Sequence, residues 1–237
     1  MSATMVAKDR RQQLLQMLPA MLLALLYASI SFNKLVIVAD ELGRLSGNDR
    51  LRHTLLALHA TSSAIFFGLI AVIMFTRKQP IRREKRLIGW VLPTVVTVAM
   101  AGVGWFEPRG DSTAVLLLAT FFVIAGTGFT IYALRHLGRH FGVVSDVRGL
   151  VTTGPYRWMR HPLYGGETLT SIGLVLAVAN PVAIAAFTLG TALQITRARV
   201  EEQSLTAALP EYREYASQTP MLIPLTKIRF RPTEATA

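Results

Sequence analysis

Three short stretches of this 237-residue chain hold residue types able to do chemistry together. The first runs from Arg148 through Gly149, Leu150 and Val151 to Tyr156, then through Arg160-His161-Pro162-Leu163-Tyr164 to Gly165-Gly166-Glu167. The second is Arg197-Ala198-Arg199-Val200-Glu201-Glu202, and the third Tyr212-Arg213-Glu214-Tyr215. Gly149, Gly154-Pro155 and Gly165-Gly166 are turn residues, so irregular backbone with free N–H and C=O groups is expected among them. The side chains add an imidazole, phenols, paired carboxylates and guanidinium groups. If the stretches meet, the set suits a soluble, charged cofactor reacting with a lipid-like substrate.

The rest of the chain must position them, and its composition points to lipid. It is 51% hydrophobic and only 16% charged, where a soluble domain carries about a quarter charged residues. The apolar content excludes disorder, and the absence of cysteine excludes disulfides, thiolate metal sites and thiol redox chemistry. Five uncharged runs stand out: Gln12–Asn33, Thr54–Phe75, Leu87–Phe106, Ala114–Leu134 and the longer Thr168–Thr196. About 20 apolar residues cross the hydrocarbon core as a helix, so the first four read as single spans. A secretory signal rivals the first, but Leu35–Val38 prolongs it beyond an ordinary signal core and favours an anchor. The fifth run is interrupted by Asn180-Pro181, where proline removes a helix hydrogen bond. Its halves are short for full crossings and suit a hairpin entering and leaving on one side; one kinked helix is the alternative.

Of the 25 Lys and Arg residues, 20 fall on one side of these runs and four on the other, with Lys34 at a span end. The positive-inside rule then makes the N-terminus and the polar stretches cytoplasmic. The net charge of +11 is thus mostly topological, and nucleic acid is not an expected partner. No internal repeat or linker breaks the chain, which reads as one domain over residues 1–237. The expected fold is an all-α integral membrane protein: four transmembrane helices plus a C-terminal helical hairpin, five to six membrane helices in all, above a cytoplasmic connector. The expected location is a bacterial inner membrane.

Leu150-Val-x-x-Gly-Pro-Tyr156, then Arg160-His161-Pro162-x-Tyr164-x-Gly, Arg197-x-x-x-Glu201-Glu202 and Tyr212-x-x-Tyr215 resemble the isoprenylcysteine carboxyl methyltransferase family. Its superfamily also includes phospholipid N-methyltransferases. The resemblance covers roughly residues 135–224. It implies S-adenosylmethionine bound in the cytoplasmic connector, with a lipophilic or lipidated substrate arriving through the membrane and no metal. Arg148, Gly149, Leu150 and Val151 lie where that family lines the cofactor with backbone. Tyr156, Arg160, His161, Pro162, Leu163 and Tyr164 match its cofactor motif, Glu201 its cofactor carboxylate with Glu202 beside it, and Arg197 its substrate-orienting arginine. Two positions depart: Arg148 stands where eukaryotic members have His, and Met221 where a basic residue is expected. The resemblance favours methyl transfer to a carboxylate; a lipid amine acceptor, or a non-enzymatic transporter or scaffold of the same fold, are the alternatives.

Blander readings stand beside these. Arg160-His161-Pro162 can simply start a helix, Glu201-Glu202 can be a solvated helix face, and Tyr212 and Tyr215 can be interfacial anchors. His136 and His140, four apart, lack a third metal ligand. Lys34 and His59 invite functional suspicion, though Lys34 reads as snorkelling toward the interface. Gly126-x-Gly128 reads as helix packing.

Overall fold

A backbone in hydrocarbon must satisfy its own hydrogen bonds, so long uncharged runs fold as helices. The structure, a computed structural model, describes residues 3–45, 49–76, 112–138 and 149–222, with positions 95, 98 and 106 between them. Its helices are α1 (Ala3–Gly43), α2 (Arg50–Thr76), α3 (Thr113–Leu137), α4 (Pro162–Val178), α5 (Pro181–Ala208) and α6 (Tyr212–Gln218), with a 3₁₀ turn at Gly154–Arg157. Among the described residues three segments are long and apolar enough to cross a membrane: Met21–Gly43, Arg50–Ile73 and Thr113–Leu137. The run Leu87–Phe106 lies outside the described residues save positions 95, 98 and 106. The expected four spans and hairpin are therefore seen as three candidate spans and the hairpin.

The candidate span Met21–Gly43 overlaps the expected first run over residues 21–33. Lys34 falls inside this span, 2% exposed, with Nζ donating to the Phe106 carbonyl at 3.0 Å. That carbonyl replaces water, so the ammonium has no need to snorkel. Large side chains such as Leu22, Leu25, Phe32, Phe121 and Leu189 remain exposed around the bundle, as lipid-facing helices require. Inside, Tyr27, Ile30, Phe67, Val123, Leu163 and Leu174 form one core that joins α1, α2, α3 and α4.

Helices α3 and α4 run antiparallel at close range. A Cβ on Gly126 would collide with the Thr170 backbone nitrogen, and one on Gly173 would come within 2.5 Å of the Ala119 carbonyl oxygen. Gly128 has nothing within 4 Å, so the packing role belongs to Gly126 alone of that pair. Small residues let membrane helices approach in this way, and here they seat α4 against a helix of the bundle.

At Asn180-Pro181 the chain turns back. Ala179 caps α4 in the left-handed region (φ 48°, ψ 34°), the Asn180 side chain accepts the Val182 N–H at 2.7 Å, and Pro181 opens α5. Cap and proline act together, since proline tolerates only the first helical turn. The alternative of one kinked helix is excluded: α4 and α5 are separate and antiparallel. Helix α5 then continues for 28 residues, carrying Arg197, Glu201 and Glu202 out beyond the apolar run.

Candidate functional site

The hairpin brings the first two chemical stretches face to face. His161, Tyr164 and Thr168 follow one face of α4 and its N-cap, and Gln194, Arg197 and Glu201 one face of α5, both at helical spacing. The pairs form successive layers from the open end inward.

In the outermost layer Arg160 and Glu202 make a buried bidentate ion pair, Nε to Oε1 at 2.7 Å and Nη2 to Oε2 at 3.1 Å. Nη1 of Arg160 donates to the carbonyls of Ala216 and Thr219, at 2.7 and 3.1 Å. His161 Nε2 donates to Glu202 Oε1 at 3.1 Å. Burial works to raise the Glu202 carboxyl, but the hydrogen bonds and charges of His161 and Arg160 outweigh it and hold the group below the usual carboxylate range. The Arg160 and His161 N–H groups donate to the carbonyls of Pro220 and Met221. The layer thus ties α5, α6 and the following segment to the start of α4.

In the middle layer Tyr164 Oη donates to Glu201 Oε2 at 2.5 Å. Its ring stacks on the His161 imidazole, centroids 5.1 Å apart and 7° from parallel, and the Arg197 guanidinium lies 4.9 Å from its centroid. Arg197 is buried and Glu201 partly so. No described residue hydrogen-bonds Glu201 Oε1, which leaves that oxygen for a ligand.

The inner layer joins Glu167, Thr168 and Gln194. Gln194 Nε2 donates to Glu167 Oε2 at 2.8 Å, and Thr168 Oγ1 to Gln194 Oε1 at 3.4 Å. Below them a cavity of about 420 Å³ opens, lined by Phe129, Met159, Tyr164, Thr168, Gln194 and Leu222 among others. It is large enough to hold part of a lipid chain, and its walls are mostly apolar.

Tyr156 completes the outer wall. Gly154 sits at φ 58°, under the His136 ring where any Cβ would collide, so glycine is needed to dock the 3₁₀ turn on the end of α3. Tyr156 is buried, its carbonyl accepts from Tyr215 Oη at 2.5 Å, and its own hydroxyl has no hydrogen-bond partner among the described residues. Burial, with the charge of Glu201, pushes that phenol up, so it stays a neutral donor.

Of the residues singled out from sequence, Tyr156, Arg160, His161, Pro162, Leu163, Tyr164, Arg197, Glu201 and Glu202 lie in or directly behind this site. Gly149, Leu150 and Val151 lie in the non-helical segment before the 3₁₀ turn, with Gly149 at φ 140°, and Arg148 lies outside the described residues. Tyr212 and Tyr215 do not serve as exposed anchors: Tyr212 is 2% exposed and Tyr215 holds Tyr156. Met221, where a basic residue is expected, is buried against Tyr164 and Ala198. Among the described residues no cluster of three metal-ligating side chains occurs; His140 lies outside them. Glu167 closes the first chemical stretch without matching the family pattern, and Gln194 lies outside all three stretches. Gln194 is three residues before Arg197, and its polarity within an apolar run was the available signal.

Residues 114–211 match the family model described as phospholipid methyltransferase. The chain is 32% identical over 136 residues to the cobalt-zinc-cadmium resistance protein CzcN of Cupriavidus metallidurans, covering 57% of this chain and 51% of that protein. It is 36% identical over 86 residues to the protein-S-isoprenylcysteine O-methyltransferase of Homo sapiens, covering 35% and 30%. It is 27% identical over 140 residues to the phosphatidylethanolamine N-methyltransferase of Rattus norvegicus, covering 59% and 61%. The matched stretches thus span between under a third and about three fifths of these relatives' own lengths. The similarity is to a superfamily of membrane methyltransferases and does not single out one acceptor.

Proposed function

We propose that this protein transfers a methyl group from S-adenosylmethionine to the amine headgroup of a membrane lipid. The observation that carries the reading is the junction of the motif layers with the apolar cavity: Tyr164 belongs to both, and a charged cofactor and a lipid can meet there. The donor set fits the cofactor. Glu201 Oε1 is open to its amine or ribose hydroxyls, the Tyr156 hydroxyl, with no partner among the described residues, can donate to its carboxylate, and the aromatic face of Tyr156 suits a cation. S-adenosylmethionine supplies a methyl on a positively charged sulfur. Arg160 and Glu202, whose groups are spent on each other and on backbone, act as positioning residues.

An amine acceptor is favoured over the carboxylate by the charges around Arg197. Glu167 and Glu201 both lie within its electrostatic reach, so two carboxylates face one guanidinium. A zwitterionic headgroup can set its phosphate toward Arg197 and its ammonium toward the carboxylates, so that both of its charges are matched. The phospholipid family match supports the same choice. Positioning and exclusion of water supply most of the catalysis in such a transfer.

The test is to incubate membranes containing the protein with methyl-labelled S-adenosylmethionine and to identify labelled lipids by mass spectrometry. Label on an amine lipid, lost in Glu201→Gln together with calorimetric cofactor binding, is expected. Label confined to carboxyl esters would restore the carboxylate acceptor, and no cofactor binding would refute the enzyme reading.

A further inference from the structure

Gly165 follows Tyr164 directly, at an open position of the Arg160-His161-Pro162-x-Tyr164-x-Gly pattern. It lies inside α4, its N–H donating to the His161 carbonyl at 3.3 Å. Glycine is less favourable than alanine in a helix, so its presence there needs a cause. Backbone conformation does not supply one: positive φ occurs at Gly138, Gly149 and Gly154 and not at Gly165. Close packing does not supply one either. A Cβ on Gly165 would lie 3.6 Å from Met159 Sδ and 3.6 Å from Phe129 Cε1, ordinary van der Waals contact. Its neighbour Gly166 is the opposite case, since a Cβ there would collide with the Thr130 hydroxyl and come within 2.9 Å of the Thr130 backbone nitrogen. The close approach of α3 to α4 therefore rests on Gly166 and leaves Gly165 unexplained.

What Gly165 borders is space. It lines the 420 Å³ cavity together with Phe129, Met159, Tyr164, Leu169 and Ile195. Tyr164 joins that cavity to the polar layers, because its hydroxyl holds Glu201 and its ring lies against Arg197. Along α4 the lining runs from Tyr164 to Leu169, about 7.5 Å of helix rise. Polar groups stand at the Tyr164 end and on Thr168 and Gln194, and hydrocarbon makes up most of the remainder. Such a lining matches a molecule with a polar head beside Tyr164 and hydrocarbon directly behind it. We infer that Gly165 is a specificity-determining residue: by withholding a side chain it leaves the room, beside Phe129 and Met159, in which the hydrocarbon of the acceptor lipid lies behind its reacting headgroup. This role rests on the lipid-acceptor reading above and adds the residue that sizes the lipid.

Side chains of increasing size at position 165 separate this role from a structural one. The Cβ of alanine meets Met159 and Phe129 at contact distance, so the helix gains a better former at no steric cost. The further carbons of valine or leucine have the cavity to enter, and they take the volume that the lipid would fill. Excess bulk of one methylene in an apolar pocket already changes selectivity by about 10–200-fold.

The experiment uses the full chain in nanodiscs holding phosphatidylethanolamine with a photoreactive diazirine in one acyl chain. Wild type, Gly165→Ala, Gly165→Val and Gly165→Leu are compared by thermal unfolding, by cross-linked peptides identified by mass spectrometry without cofactor, and by kcat and KM of methyl transfer. Gly165→Ala is expected to melt about 2–4 °C above wild type and to cross-link at the same residues. Gly165→Val and Gly165→Leu are expected to bind S-adenosylmethionine with unchanged affinity by calorimetry, to lose the cross-links to Met159, Leu169 and Ile195, and to raise KM for the lipid about tenfold or more. A lower melting temperature for Gly165→Ala would return the glycine to a packing role and overturn the inference. Cross-links that persist in Gly165→Val and Gly165→Leu, or a loss confined to kcat or to cofactor binding, would overturn it too. Should Gly165→Leu fail to fold, Gly165→Val decides by the same measurements. Wild-type cross-links in the cavity with no methyl transfer to any lipid would instead overturn the methyltransferase reading and leave Gly165 sizing a bound lipid.

Discussion

Removing one partner of the Arg160–Glu202 pair should be among the most damaging single changes available. The Arg160 side chain is 1% exposed and that of Glu202 6%, and both Glu202 oxygens are bonded. With Glu202→Leu the guanidinium keeps only the Ala216 and Thr219 carbonyls and becomes an uncompensated buried charge, at a cost of about 3–5 kcal/mol. With Arg160→Met the loss is similar, because a buried carboxylate and two carbonyls lose their donor. At about 2–4 °C per kcal/mol for a chain of this size, each single variant should melt roughly 6–20 °C below wild type. The double variant removes both charges and should melt well above the sum of the two losses, with a coupling energy of about 3 kcal/mol. Thermal unfolding in detergent, followed by tryptophan fluorescence with Trp158 two residues from the pair, measures all four proteins. The acid limb gives a second check. Because the folded carboxyl is held down, its contribution is complete above the unfolded value of about 4.3 and is lost as pH falls through the folded one. The double variant should lack that acid-side loss. Additive single effects, with coupling under about 0.5 kcal/mol, would refute the reasoning.

Gly126→Leu should separate α3 from α4 and cost about 1–3 kcal/mol or more by overpacking, whereas Gly128→Leu, which meets open space, should be near neutral in the same melts. Ala179→Gly should raise stability by up to about 1 kcal/mol, since the residue already occupies the left-handed conformation that glycine adopts without strain; a lower melting temperature would count against the turn. Reporter fusions after Gly110 and after Arg199 should report opposite sides of the membrane, and a common side would remove the hairpin's return to the cytoplasm.

What could be read from sequence was whatever depends on near neighbours. The hairpin was legible because Asn180 and Pro181 are a helix cap and a helix start in adjacent positions. Three of the expected spans were legible because lipid tolerates little but uninterrupted apolar helix. Lys34 was misread because its acceptor is the Phe106 carbonyl, 72 residues away, and nothing local marks that partner. Arg160 carried a motif, yet its donors go to Glu202, Ala216 and Thr219, which only folding brings within reach. Glu167 and Gln194 meet across the hairpin, so their pairing follows from its register and could not precede it.

Helix α5 has a mechanical consequence. From its foot at Pro181 to Glu201 is about 30 Å of stiff rod, its lower part carrying the exposed apolar side chains Val182, Ile184 and Leu189. A tilt of about 5° at the foot, the kind of adjustment helices make to bilayer thickness, would sweep Glu201 sideways by about 2.6 Å and carry it out of hydrogen-bonding distance of Tyr164. The guanidinium clasp on the adjacent Glu202 fixes the far end of that rod to the frame of α4. With both ends held, a change in the tilt of α5 would have to be absorbed at the turn, Ala179-Asn180, and not at the contact of Tyr164 with Glu201.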